Sequence, residues 1–354
     1  MDTLKVSLLG TAVALTLAGC GSDSDSSTGS TTPVTVSVSD APIDDVTKAV
    51  VTYSKVAFLP IGGGTPQIFD VYKTDEDGNA VDENGDLLPD GEAPIPLSVN
   101  LLDYQGGNSI ELIKNKVIPT GEYKLCVFAN DGDHPTYPSY VVDKVTNNEL
   151  PLTVKGDGAC PQGVGKEANA GVLFFNNAFT VNSNNNDYVV EFDLRRGLKA
   201  VTGENSYSLQ RTSVSLINTV ATGEITGNVE SAFFNACVND TAASTSFTNT
   251  NGHAHAVYLY EGNIEQEFMG PFAGLAGMQA PVATANVVTK DNGNTYEYEF
   301  GFVAPGTYSI SYTCTANDDT EEGIVSGETF SMFGSQSGLN VSAGSETQAD
   351  FDAL

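Results

Sequence analysis

Residues 34–39, Val34-Thr35-Val36-Ser37-Val38-Ser39, alternate a β-branched apolar residue with a small polar one. Side chains of a strand point to its two faces in turn, so this period of two makes one face apolar and the other polar. The six residues predict a half-buried β-strand. Working outward, Ala49 to Leu59 carries Val50, Tyr53, Val56 and Phe58, and Tyr123–Ala129, Ala170–Phe175, Tyr188–Leu194 and Ser206–Leu216 are again strand-like. Beyond Gly223 the pattern continues in Ile225–Val229, Ala256–Tyr260, Tyr296–Phe302 and Tyr308–Cys314. Gly, Asn, Asp and Pro fill the gaps, and outside the N-terminal apolar run no segment of twelve or more residues has helical periodicity. Short strands between turn residues predict an all-β fold. With 354 residues the expectation is two β-sandwich domains, Ig-like or transthyretin-like, over 34–220 and 221–354. The connection at 221–224 is short enough to press them together.

One local echo joins the halves. Pro119-Thr120-Gly121-Glu122-Tyr123 leads into a strand with Cys126, and Ala304-Pro305-Gly306-Thr307-Tyr308 leads into one with Cys314. Pro fixes φ, Gly permits the bend, and the Tyr is delivered onto the core.

Acidic residues outnumber basic ones 45 to 15, a formal net charge of -30. Such a charge repels nucleic acid and attracts cations, so no nucleic-acid partner is expected. Cys126, Cys160, Cys237 and Cys314 match no zinc spacing and form an even set suited to two disulfides in an oxidising compartment. Four cysteines allow three connectivities; nearest-in-sequence pairing, Cys126–Cys160 and Cys237–Cys314, would give each domain one bridge.

The N-terminus has one basic residue, Lys5, then an apolar run from Val6 to Ala18 that is too short to remain as a membrane span. Leu17-Ala18-Gly19-Cys20 resembles the lipobox of bacterial lipoproteins. That resemblance implies a signal peptide over 1–19, lipidation of Cys20, and a membrane partner reached through its acyl chains, since two or more chains anchor stably. Gly21 in place of Asp after the cysteine favours the outer membrane. The remainder of 20–33 is Ser-, Thr- and Gly-rich, a flexible tether of roughly 20 Å.

The acidic insertion at 74–92, TDEDGNAVDENGDLLPDGE, holds eight carboxylates, no Lys or Arg, and a seven-residue repeat. Calcium needs several hard oxygen ligands on a sharply turning chain. Asp75, Asp77 and Asn79, with Asp82, Asn84 and Asp86, supply candidate ligands for an EF-hand-like loop, and calcium is the one cofactor to consider. The pattern departs from an EF-hand where Ala80 or Leu87 stands in place of the sixth-position Gly, and where the flanks are extended. Asp77-Gly78, Asn84-Gly85 and Asp90-Gly91 read equally as ordinary hairpin turns.

No catalytic constellation emerges. His253-Ala254-His255 places two rings on one strand face, but two ligands make no metal site, and both are expected at the surface. In Gly334-Ser335-Gln336-Ser337-Gly338 a Gln occupies the nucleophile position. Asp193, Arg195 and Arg196 read as partners in structural ion pairs.

The opening Val36-Ser37-Val38-Ser39-Asp40-Ala41-Pro42, then Leu101-Leu102-Asp103-Tyr104, the Pro-x-Gly-x-Tyr turn and Phe192-Asp193-Leu194-Arg195 resemble, in that order, the domain-of-unknown-function family 4382 over roughly 34–220. Gly223-Glu224-Ile225-Thr226-Gly227-Asn228-Val229 and Ala304–Tyr308 are similar to a carboxypeptidase-regulatory-like, transthyretin-type sandwich. These resemblances imply exported β-sandwich lipoproteins and bring no site residues. The expected function is a non-catalytic binding module at the outer membrane, its partner an envelope protein or a polysaccharide. The lack of Trp counts against sugar and the 14 Tyr residues for it. The alternatives are an envelope hydrolase using an acidic pair or a metal, and a purely structural spacer.

Overall fold

The computed structural model describes residues 30–41, 46–156, 158–241, 253–272, 274–290, 295–320, 323–324 and 330–352. The signal peptide, Cys20 and the tether up to residue 29 lie outside the described residues.

The N-terminal domain contains β1 (Thr31–Ala41), β2 (Val46–Pro60), β3 (Gln67–Asp70), β4 (Leu97–Asn100), β5 (Ile110–Pro119), β6 (Gly121–Asn130) and β7 (Tyr140–Asp143). It continues with β8 (Glu149–Lys155), β9 (Ala170–Val181), β10 (Asp187–Asp193), helix α1 (Leu194–Gly197), β11 (Leu198–Ala200), β12 (Tyr207–Gln210) and β13 (Val214–Asn218). Strand β1 starts at Thr31, so the last three residues assigned to the tether are already paired, Thr31 with Pro119 on β5.

Four strands in the order β13-β10-β1-β5 face a nine-stranded sheet built along β2. Strand β1 runs parallel to β10 and antiparallel to β5. Its Val34, Val36 and Val38 have no exposed surface and meet Tyr53, Phe58, Leu125, Val190 and Phe192 between the sheets. The expected single strand over 206–216 is two strands. A tight turn at Arg211–Ser213 passes the chain from β12, in the large sheet, to β13, in the small one.

The polar face of β1 is the first departure from expectation. Period two predicts water there, yet Ser37 and Ser39 are buried. The Ser39 hydroxyl donates to the backbone carbonyls of Tyr104 and Asn108 (3.2 and 2.8 Å), because the 101–108 segment folds over the outer face of the sheet. Buried hydroxyls are tolerated when they are bonded in this way.

The C-terminal domain contains β14 (Gly223–Val229), α2 (Ser231–Thr241), β15 (Ala256–Glu261), β16 (Ala283–Asn286), β17 (Val288–Lys290), β18 (Thr295–Val303) and β19 (Gly306–Thr313). The short strands β20 (Asp319–Thr320) and β21 (Gly323–Ile324) precede β22 (Gly334–Val341) and β23 (Glu346–Gln348). Two four-stranded sheets, β17-β18-β14-β23 and β16-β15-β19-β22, enclose Ile225, Phe300, Ile310 and Tyr312. Helix α2, of eleven residues, falls below the twelve-residue length at which no helical periodicity was expected. Its Phe233 and Cys237, one turn apart, are buried, while Phe234 stacks between His255 and Tyr296. With Asn, Asp and Thr over much of its length its intrinsic propensity is poor, so packing maintains it.

Both bridges follow nearest-in-sequence pairing. Cys126–Cys160 spans 34 residues and Cys237–Cys314 spans 77. The first holds the 156–169 segment over Phe128 and Val172, and the second ties α2 to the end of β19. Loop-closure entropy gives each a contribution of about 4 kcal/mol.

The echoed turns share a hydrogen bond. Tyr123 donates its hydroxyl to the carbonyl of Pro119 (2.7 Å), and Tyr308 donates to that of Ala304 (3.0 Å), each four residues back. Tyr123→Phe and Tyr308→Phe should each lower unfolding free energy by about 1 kcal/mol in urea titrations, with an unchanged m-value. An unchanged midpoint in both would remove the turn from the account of stability.

Candidate functional site

The two domains meet across the outer face of the four-stranded sheet, and between them lies a cleft of about 750 Å³. Asp40, Glu191 and Ile217 line it from the N-terminal side, joined by Asp103 from the covering segment. The opposite wall is the outward face of β14, β18 and β23, with Glu297, Glu299 and Glu346, together with Thr284 on β16. Among the described residues no Lys, Arg or His lines the cleft.

Three contacts fix its width. The Gly107 amide donates to the Glu299 carboxylate (2.7 Å). A Cβ on Gly301 would stand 2.5 Å from the carbonyl oxygen of Gly106, so the two backbones approach as closely as only glycine allows. Arg195, nearly buried on α1, donates from Nη2 to the side-chain carbonyl of Asn286 on β16 (3.1 Å). Asp193 caps the start of α1 by accepting from the Arg196 amide (3.1 Å). Where ion pairs were expected of Asp193, Arg195 and Arg196, the structure shows a helix cap and an Arg195 guanidinium reaching from one domain to the other.

Behind Arg195 lies Asp319, 2% exposed, which accepts from the Tyr258 hydroxyl and the Phe272 amide (both 3.0 Å). Burial raises its carboxyl from 3.8 to about 6, against the lowering effect of those bonds and of the Arg195 charge. Glu191 is more perturbed. Burial in the cleft, with repulsion from Asp193, pushes it from 4.5 to about 8. Among the described residues no hydrogen bond or ion pair is made by its carboxyl. Thr284, 3% exposed, leaves its hydroxyl without a hydrogen-bond partner.

Phe302 adds a strained backbone at φ 54, a left-handed conformation that bulky side chains avoid. It follows Gly301 where the β14–β18 register slips between Gly223 and Ile225. Such bulges re-aim a side chain, and this one directs Phe302 to the cleft wall.

The acidic insertion folds as two successive turns rather than one twelve-residue loop. Bridges Thr74↔Ala80 and Val81↔Leu87 close them at the seven-residue repeat. Asp75 accepts from the amides of Asp77 and Asn79 (3.0 and 2.8 Å), and Asp82 from those of Asn84 and Asp86 (2.8 and 2.9 Å). The Asn79 side-chain amide, which also donates to Asp75, and then its backbone amide hold the Asp75 carboxyl below the ordinary range, and the Asp86 amide does the same for Asp82. Among the described residues no three His, Cys, Asp or Glu side chains converge as a metal site. His255 corrects the surface assignment: it is half-buried, stacked on Phe234 and hydrogen-bonded through Nδ1 to the Tyr312 hydroxyl.

The fold and the cleft define an all-β chain of two sandwich-like domains with an acidic site between them. The model of the family described as Domain of unknown function (DUF4382) matches residues 31–210, and the chain belongs to that family. No curated protein matches it. Among solved structures, a candidate adhesin from Bacteroides ovatus ATCC 8483 aligns at 10% identity over 84% of this chain and 82% of its own, with a TM-score of 0.17. The major pilin from Streptococcus pyogenes aligns at 10% identity over 91% and 99%, with a TM-score of 0.14.

Glu191 and Asp319 both have raised folded-state values, so their protonated forms favour the fold. That stability is complete below their ordinary values and is lost as pH rises through about 6 and about 8. Asp193 adds repulsion to the burial that raises Glu191, and Asp40, Arg195, Glu297 and Glu299 are the other charged groups at or beside the cleft. Melting temperature should fall between pH 5 and 9, and Glu191→Gln should flatten the part above pH 6. An unchanged slope in that variant would contradict the assignment.

Proposed function

We propose that this protein is an exported, non-catalytic binding module of the bacterial envelope, held at the outer membrane by acyl chains on Cys20, with the inter-domain cleft as its binding surface. The observation that carries the reading is the sequence of parts. A lipobox-like Leu17–Cys20 and a polar tether lead straight into β1, the central strand of a domain closed by a disulfide, and the second domain carries a disulfide of its own. Two disulfides suit an oxidising compartment, and a lipobox suits the same route of export. Among the described residues no helix is long and apolar enough to cross a membrane. The C-terminal domain is read as a carboxypeptidase-regulatory-like, transthyretin-type sandwich on the strength of its Ala304–Tyr308 turn.

A binding role is favoured over hydrolysis because the acidic groups of the cleft line two walls, Asp40, Asp103 and Glu191 on one and Glu297, Glu299 and Glu346 on the other. The partner reached from the tether is an envelope protein or a polysaccharide. Calcium enters as the cation that the paired turns of Asp75, Asp77, Asn79, Asp82, Asn84 and Asp86 would take, in a role confined to that insertion.

Cells fed labelled palmitate should yield labelled protein in the outer-membrane fraction, and Cys20→Ser should abolish both label and fractionation. An unlabelled wild-type protein that fractionates as soluble would overturn the anchor. In melting curves, calcium should raise and chelator lower the transition if the turns hold the ion, and Asp75→Asn with Asp82→Asn should remove the difference. Identical curves with calcium and chelator would end the calcium reading.

A further inference from the structure

Among the described residues the cleft is lined by carboxylates from both domains and by no Lys, Arg or His; the half-buried Glu191 carboxyl makes no hydrogen bond there, and the buried Thr284 hydroxyl has no partner. A buried polar group without a hydrogen bond costs free energy that a ligand recovers by supplying one. The strained Phe302 on the same wall is a second such cost, and strain of this kind clusters at ligand sites.

The geometry points to a ligand. We propose that the inter-domain cleft binds a linear aliphatic polyamine, whose ammonium groups are received by Glu191 and by Glu297 and Glu299, and whose methylenes lie against Ile217 and Phe302. This rests on the binding-module reading and specifies its ligand class.

The spacing of the acids selects this chemistry over a metal ion. A metal ion needs ligands that converge, and among the described residues no three acidic or imidazole groups do so. Glu297 and Glu299 lie two residues apart on β18 and share one face, about 7 Å from each other by strand geometry. Two ammonium groups separated by three or four methylenes span that interval, whereas one small ion does not. An ammonium donates three hydrogen bonds and accepts none, which suits walls where carboxylate acceptors face the cleft. The Thr284 hydroxyl, as an acceptor, takes one more. Ile217 and Phe302 give the alkyl segments an apolar surface that a hydrated metal would not use.

The test is calorimetric titration of the full chain, purified in detergent, with spermidine, and separately with calcium chloride and with trilysine. Spermidine should bind saturably with one site per chain, and more tightly than either comparison. Glu191→Gln should weaken it at least about tenfold, the loss expected for a charge-assisted hydrogen bond in a closed site. Thr284→Val should weaken it several-fold. Thr284→Val removes an unsatisfied buried hydroxyl, and Glu191→Gln removes a charge that desolvation disfavours, so the variants should melt no lower than the parent at neutral pH. Asp77→Asn with Asp86→Asn, in the exposed turns far along the chain from the cleft residues, should leave the affinity unchanged. No saturation by 1 mM spermidine overturns the proposal, as does equal affinity in Glu191→Gln, or a loss in the turn variant as large as in the cleft variants. Tighter binding of trilysine would replace the free polyamine with a lysine-bearing peptide and overturn the ligand assigned here. A palmitate-labelled protein that ignores spermidine sinks the ligand and leaves the anchor; an unlabelled one that binds it does the reverse.

Discussion

Strand β1 is buried on both faces, and most of the architecture follows from meeting that requirement. Its valines supply one face of the N-terminal core. Its serines sit on the other face, where water is excluded by the 101–108 segment and the apposed second domain. A four-stranded sheet with a polar outer face could have remained in water, as antiparallel sheets commonly do. Covering it instead requires that every hydroxyl and carboxyl there be bonded or pay for desolvation. Ser39 is bonded. Glu191 is not, and its raised titration is the direct consequence.

The docking that covers β1 is made of few, exacting contacts. Gly106 and Gly301 allow two backbones to touch, Glu299 takes the Gly107 amide, and Arg195 crosses to Asn286. None is a large apolar surface. The cleft between the domains is acidic because β14, β18 and β23 turn Glu297, Glu299 and Glu346 to it. A cleft held by its rim keeps its shape without the ligand, which lowers the ordering cost of binding.

Much of the fold was legible in the sequence because its cause is local. Period two located β1, and the Pro-Gly-Tyr echo located two equivalent turns whose hydrogen bonds prove to be the same. Nearest-in-sequence pairing matched both disulfides. Helix α2 was illegible because it is held by the packing of Phe233, Phe234 and Cys237, while its Asn, Asp and Thr residues favour no helix. The cleft was illegible for a different reason. Glu191 looks in sequence like any alternating polar strand residue, and only the position of a second domain makes it a buried acid. The Asp193–Arg196 stretch stood out, but nothing local could show that Arg195 reaches Asn286, 91 positions later. The seven-residue repeat was visible and exists as two turns, while its fit to a single calcium loop dissolved once each half closed on itself.

The central claim is that the second domain dries the outer face of the β1 sheet and leaves an acidic site there. The most direct measurement is the titration of the Glu191 side-chain carboxyl by carbon-13 NMR in the full chain. Docked domains require a midpoint raised to about 8. A midpoint near the ordinary 4.5 would mean that Glu191 faces water, that the domains do not close over the sheet, and that the cleft is not there to bind anything.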